Sequence, residues 1–240
     1  MSAENRGRLR AAVIVLAAGD GNRVGAGTNK VLLPLAGLPV FAWSLRWVDD
    51  LEYAVRVVVV VRDQDRGFVE QELTEHFPER DIAVVTGGLT RHVSEWNGLC
   101  AVAGAVDAGE IDVVVIHDAA RPLAGPEMFR AVIELAAGSG GAVPVRGQPA
   151  LVARDAIAAP GVQGRLVGVQ TPQAFQARPL LGAYRRAAQD GYAGTDTAGC
   201  AERYTDLSIT AVPGPATNVK ITYPEDLALA ERLIDKLELR

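Results

Sequence analysis

Cysteine is scarce in this chain: two in 240 residues, Cys100 and Cys200. That excludes a disulfide-stapled scaffold. The pair suits free thiols in a reducing compartment, with one disulfide as the open alternative. A basic surplus is also missing, because 24 lysines and arginines face 29 aspartates and glutamates, for a net charge of −5. Dedicated nucleic-acid binders show the opposite balance, so no nucleic-acid partner is expected. A local basic pocket for a phosphorylated small molecule remains compatible with that balance. No run approaches the roughly 18 apolar residues of a membrane helix, so no membrane partner is expected either. Arg6, Arg8 and Arg10 followed by Ala11–Ala18 imitate a signal peptide. That apolar stretch is short, however, and runs straight into Gly19-Asp20-Gly21-Asn22-Arg23. It reads as a first buried strand followed by a loop, in a cytoplasmic protein. Internal repeats and low-complexity segments are absent. With 49% apolar and 22% charged residues, intrinsic disorder and coiled coil are excluded as well.

What is present is a series of short, β-branched apolar runs: Ala12–Leu16, Ala54–Val61, Ile82–Val85, Ile111–Ile116, Gly141–Val145, Arg165–Val169, Ser208–Val212 and Asn218–Thr222. Most lack polar alternation, as strands covered on both faces do. Helix-period segments lie between many of them, for example Phe41, Leu45 and Val48, or Met128, Val132 and Leu135. The last segment, Pro224–Leu239, opens with Thr222 and Glu225 in capping-box spacing. Alternating strands and helices predict an α/β fold with a mostly parallel sheet, in one domain over 1–240. Ligands of such sheets bind beyond the carboxyl ends of the strands.

The residues at those ends are suggestive. After the first strand, Gly19 and Gly21 permit close backbone approach to a phosphate. A dinucleotide fingerprint fails at Val24, and a Walker A loop fails because Asn29 precedes Lys30. A glycine loop with two following cations remains, Arg23 and Lys30, which suits a triphosphate; a tight turn with two solvated cations is the bland alternative. After the Ile111–Ile116 strand comes His117-Asp118-Ala119-Ala120-Arg121-Pro122. Asp118 suits Mg²⁺, a hard cation that takes carboxylate and phosphate oxygens, or a plain backbone cap. Arg121 suits a phosphate. His117 reads as structural, because an ionised phosphate oxygen attacks without needing a base. Gly87 and Gly88 allow contact with a flat base, and Ser94 either meets a ribose or phosphate or sits in a helix's first turn. Gln170-Thr171-Pro172-Gln173 and the strand-borne Lys220 complete the set.

In this order the motifs resemble the 2-C-methyl-D-erythritol 4-phosphate cytidylyltransferase family. The matching stretches are LAAGDGNRVG with NK at 29–30, GG-x-x-R-x-x-S at 87–94, HDAARP at 117–122, QTPQAF at 170–175 and NVKITYPEDLALAE at 218–231. The resemblance implies a three-layer Rossmann-like nucleotidyltransferase fold with a protruding arm at about 146–166. It implies a homodimer and Mg²⁺-dependent transfer of CMP from CTP to a sugar-alcohol phosphate. By position, Arg23 and Lys30 would stabilise the triphosphate, Lys220 would hold the α-phosphate, and Asp118 would hold Mg²⁺ or orient the acceptor. Ala17, Ala18, Gly19, Gly21, Gly87, Gly88 and Ser94 would line the cytidine site. Arg121 and Thr171 would lie near the acceptor.

The departures cluster in the arm. Family members follow Pro144-Val145 with an Asp-Thr-x-Lys-like segment, where this chain has Gly147-Gln148-Pro149-Ala150, and their Asp-Arg pair is here Val162-Gln163. Arg146, Arg154 and Arg165 are the nearby candidates to replace the lost arginine. Thr195-Asp196-Thr197-Ala198-Gly199 stands where the family reads T-D-[DE]-A-S, and Asn29 replaces a proline. The nucleotide half of the site is kept while the acceptor half is rewritten. Another acceptor such as ribitol 5-phosphate, or a non-catalytic CTP-binding paralogue, are therefore the alternatives.

Overall fold

A strand with no polar face is stable only with a layer of structure on each side. The computed structural model describes residues 9–19, 29–147 and 167–238, and meets that demand with a central sheet between two helical layers. In chain order the elements are β1 (Ala11–Leu16), β2 (Pro34–Leu35), β3 (Leu38–Pro39), α1 (Val40–Asp49), β4 (Ala54–Val61), α2 (Arg66–His76), β5 (Ile82–Thr86), α3 (Arg91–Asp107), β6 (Val113–Asp118) and α4 (Gly125–Ser139). They continue with β7 (Gly140–Gly147), β8 (Val167–Val169), β9 (Gln173–Gln176), α5 (Ala177–Gln189), α6 (Thr197–Tyr204), β10 (Ser208–Pro213) and α7 (Pro224–Glu238).

The sheet order is β10-β7-β9-β6-β1-β4-β5, with β8 on β7. Strands β6, β1, β4 and β5 are parallel neighbours. The four-residue β9 runs antiparallel between β6 and β7. The expected mostly parallel α/β sheet is present, with β9 and the short β8 as its antiparallel strands.

Strand parity divides the core in two. Ala11, Val13 and Val15 of β1 face one cluster, with Phe41 and Trp43 of α1, Phe129 of α4 and Ile234 of α7. Ala12 and Ile14 face the other, with Leu99 of α3, Leu180 and Tyr184 of α5 and Cys200 of α6. Each large side chain removed from water contributes about 1.5–3 kcal/mol, so continuous apolarity on both faces of β1 is what holds both layers. Among the described residues no helix is long and apolar enough to cross a membrane. Both cysteines are free; burial pushes the Cys200 thiol up to about 12.

Two expectations need correction. Asn218–Thr222 is not a strand: its Ile221 is buried, but the Ile221 N–H donates to the Ala120 carbonyl in a loop, 2.8 Å away. The start of α7 is capped by Asp226, whose Oδ2 accepts the Thr222 and Tyr223 N–H groups at 2.8 Å, rather than by Glu225. Pro224 has no N–H, so the open amides precede it and the later carboxylate reaches them. Of the run Arg165–Val169, Val167–Val169 forms β8, and positions 165 and 166 lie outside the described residues. Gly21, Arg23 and positions 148–166 of the expected arm, with Arg154 and Arg165, lie outside the described residues.

Candidate active site

The chain order locates the site. From β1 the sheet grows outward through β4 to β5; the chain then returns to place β6 on the opposite side of β1. The reversal falls between β1 and β6, and ligands of open α/β sheets bind beyond the carboxyl ends of such strands. Register brings those ends level: Leu16 pairs with Asp118 and Val60, and Val61 with Thr86. A cleft of about 780 Å³ opens there, walled by Ala18 and Gly19, by Arg62 and Asp63, by 86–91, and by Lys30, Asp118 and Lys220.

One wall is built from absent side chains. A Cβ on Gly87 would come within 2.6 Å of the Ala18 Cβ and 2.8 Å of the Ser94 Oγ. The 17–19 and 86–88 backbones can approach this closely only with glycine at 87. Ser94 braces the same loop, accepting the Gly88 N–H and donating to the Thr90 carbonyl, both at 3.1 Å. Thr90 caps α3 by accepting the Val93 N–H.

The charge of the cleft centres on Asp118. Lys220 Nζ lies 2.6 Å from Oδ2, and Arg91 holds Oδ1 through Nη2 at 3.0 Å and Nε at 3.3 Å. Burial alone would push the Asp118 carboxyl up; Arg91 and Lys220 overcome that and hold it well below the usual carboxylate range. Burial likewise opposes the Arg91 charge, but Asp118 and Glu95 outweigh it and raise Arg91. One carboxylate thus faces two cations across the cleft, 27 and 102 residues away in sequence.

A ring of buried polar groups fixes this cluster from behind. The Asp118 N–H donates to Thr171 Oγ1 at 3.0 Å, and that hydroxyl sits 3.3 Å from His117 Nδ1. His117 Nε2 lies 3.2 Å from the Arg121 carbonyl, which can only accept, so Nε2 carries the proton and Nδ1 accepts from Thr171. Complete burial pushes the imidazole down to about 3, which makes it a neutral structural hub, as the sequence suggested. Arg121 Nη1 donates to the Asn218 carbonyl at 2.8 Å, and Asn218 Nδ2 reaches the Thr171 carbonyl at 2.9 Å. Among the described residues, Arg121 Nε and Asn218 Oδ1 are buried with no hydrogen-bond partner. On the other wall, Asn29 is fully buried and donates to the Ala17 carbonyl at 2.8 Å and to Asp65 at 2.9 Å, and Arg62 grips the same Asp65. That latch fixes the residue before Lys30.

Of the residues anticipated from sequence, Ala18, Gly19, Lys30, Gly87, Gly88, Ser94, Asp118 and Lys220 line the cleft. Ala17 and Thr171 are buried behind it, and Arg121 is tied to Asn218 beside it. Sequence reasoning did not single out Arg91 as a site residue. The available signal was the arginine of GG-x-x-R-x-x-S, which opens α3 one turn from the glycines. Asn29, which replaces the family's proline, is a structural tie.

The fold is the one that solved nucleotidyltransferases of this kind adopt. The chain also matches the 2-C-methyl-D-erythritol 4-phosphate cytidylyltransferase family over residues 11–236, and it belongs to that family. The enzyme of that name from Pelotomaculum thermopropionicum is 39% identical over 230 residues, covering 94% of each chain. That from Geobacillus kaustophilus is 36% identical, over 92% of this chain and 95% of its own. Among solved structures, the 2-C-methyl-D-erythritol 4-phosphate cytidylyltransferase of Thermus thermophilus is 30% identical, with a TM-score of 0.67 over 94% of this chain and 98% of that one. A synthase from Anaerococcus prevotii, 23% identical, shares the fold with a TM-score of 0.80 over 95% and 96% of the two chains.

Proposed function

We propose that this protein transfers CMP from CTP to 2-C-methyl-D-erythritol 4-phosphate and releases pyrophosphate. Family membership supports the reaction, and one observation carries it to these residues: Asp118, Arg91 and Lys220 meet at the β1/β6 reversal, beside the glycine wall and Lys30. In the reaction a phosphate oxygen of the acceptor bonds to the α-phosphorus, and the bond to the bridging oxygen of the pyrophosphate breaks. The attacking oxygen is already ionised, so no base is needed, and a neutral, enclosed His117 is not positioned to be one. What the step needs is charge neutralisation and alignment. Lys30, Lys220 and Arg23 are assigned to the triphosphate, with Gly87, Gly88 and Ser94 at the cytidine end. Arg121 is assigned to the acceptor end, where its buried Nε has no hydrogen-bond partner among the described residues; Thr171, its hydroxyl engaged by Asp118 and His117, supports that end from behind the cleft.

The donor set fits magnesium brought in with the nucleotide. Among the described residues no cluster of three metal-ligating side chains occurs. Mg²⁺ commonly takes one or two carboxylates and completes its shell with phosphate oxygens and water. Asp118 would be its protein ligand, and the ion would supply further neutralisation of the triphosphate. A cytoplasmic homodimer with the 146–166 arm at the acceptor belongs to the same reading, supported by the free thiols and by the family resemblance.

The rewritten arm sequence favours one second reading, the same transfer to another polyol phosphate. Pyrophosphate release from CTP and Mg²⁺ with methylerythritol phosphate, and with ribitol 5-phosphate in parallel, separates the two. Release with the first alone is the expected result. Release with ribitol 5-phosphate alone reassigns the acceptor, and silence with both, although CTP binds, overturns the transfer.

A further inference from the structure

Glu95, on α3, carries a carboxylate with no exposed surface. A buried carboxylate is costly unless several donors satisfy it, and replacing such a group with apolar side chains is often neutral or stabilising. Glu95 has three donors. Arg91, one turn earlier, contacts Oε1 through Nη1; the Thr197 hydroxyl donates to the same oxygen at 2.6 Å; and the Tyr184 hydroxyl donates to Oε2 at 2.6 Å. Burial pushes the Glu95 carboxyl above its ordinary value, while Arg91, Thr197 and Tyr184 all act against that push. His92 stacks on Tyr184 with ring centres 4.8 Å apart, and its Nδ1 lies 4.0 Å from Oε2, closing the remaining side.

The other end of Arg91 is on Asp118. A continuous polar chain therefore runs from the cleft through Arg91 and Glu95 to Tyr184 on α5 and Thr197 on α6. The start of α6 is itself pinned, because the Ala198 N–H donates to Gln173 Oε1 at 3.1 Å and Asp196 accepts the Gly199 N–H at 2.9 Å. An arginine side chain that is a quarter exposed can leave a single partner; held at both ends it cannot. We propose that Glu95 is a positioning residue for the transfer reaction: it anchors the far end of Arg91, so that Arg91 and Asp118 present one fixed geometry to the nucleotide. This rests on the cytidylyl-transfer reading of the cleft.

The shared oxygen gives the test its form. Thr197 stands where the family pattern has an acid, and its hydroxyl meets the same Oε1 as Arg91. A carboxylate at 197 would face the same guanidinium from α6. The experiment compares Glu95→Gln, the transposed double variant Glu95→Val with Thr197→Glu, and Thr197→Val. It measures kcat and KM for CTP, the melting temperature, and protection of the Arg91 Nε–H by NMR, assigned with Arg91→Lys. Glu95→Gln should lower kcat by about 10–100-fold, as loss of a charged hydrogen bond allows, with KM changing less and the Arg91 Nε–H exposed to exchange. The transposed variant should recover both kcat and protection. A folded Glu95→Gln with ordinary kcat and protection overturns the proposal. So does a transposed variant that regains the melting temperature but neither of the other two. If Glu95→Gln does not fold, Thr197→Val decides: reduced kcat and protection support the tether, and unchanged values refute it. If the unaltered protein turns over no acceptor, the functional reading fails, and Arg91 protection alone judges the tether.

Discussion

Replacing Asp118 with asparagine removes the negative charge that two cations share. Asp118 is 8% exposed, and its bonds to Arg91 are partly buried, while the Lys220 side chain is 40% exposed. The Lys220 contact is therefore discounted for solvent screening, and Arg91 dominates. Loss of one partly buried charged hydrogen-bond pair costs about 1.5–3 kcal/mol. At about 2–4 °C per kcal/mol for a chain of this size, Asp118→Asn should melt about 3–12 °C lower at pH 7. The sign of the pH effect follows from the carboxyl being held below its ordinary value. Such a group contributes stability above the unfolded-state value near 3.9, and that contribution is lost as pH falls through and below it. The gap between the two proteins should therefore close between about pH 5 and pH 2. Thermal or urea melts at pH 7, 5 and 3 measure it. An Asp118→Asn protein as stable as the original at pH 7, or a gap that persists unchanged into acid, would refute the reasoning.

Gly87→Ala should cost about 1–3 kcal/mol from overpacking and raise KM for CTP, because the new methyl meets Ala18 at 2.6 Å; an unchanged KM with an unchanged melting temperature contradicts the close-wall account. Asn29→Ala leaves the Ala17 carbonyl and the Asp65 carboxylate each short of a buried donor. It should cost about 1–3 kcal/mol in denaturant melts and weaken CTP binding by calorimetry through Lys30. His117, pushed down to about 3 by burial, stays neutral in the working range. Its contribution to stability holds above about pH 6.5 and is lost as pH falls from there toward 3, whereas a pH–rate profile between 6 and 9 should show no step that His117→Asn removes.

Much of this was legible in sequence, for identifiable reasons. The β1, β4 and β6 runs are apolar on both faces, and that property marks a covered strand. Asp118 could be selected because strand ends in this fold class converge; Lys220 lies in a loop and was legible only through its motif, and the fold brings it to Asp118 across 102 residues. The rest was hidden by local ambiguity. The strand β9 has four residues and a glutamine at each end, too short and too polar at its margins for a period to show. Asn218–Thr222 has strand composition, yet its backbone finds its partner in a loop carbonyl. Helix α5 does carry an apolar face, Leu180, Tyr184 and Ala187, but arginines and alanines crowd it in sequence. The role of Glu95 depends on Tyr184 and Thr197, 89 and 102 residues away, a relation that no spacing rule encodes.

The central claim is that the cleft at Asp118 carries cytidylyl transfer to a sugar-alcohol phosphate. Phosphorus NMR of the protein with CTP, Mg²⁺ and methylerythritol phosphate tests it most directly, with Lys220→Ala alongside. The account predicts loss of the triphosphate signals, free pyrophosphate and a new pair of coupled P–O–P resonances, all strongly slowed in Lys220→Ala. CTP that binds and is never consumed, or a Lys220→Ala protein that forms product at the original rate, would contradict it.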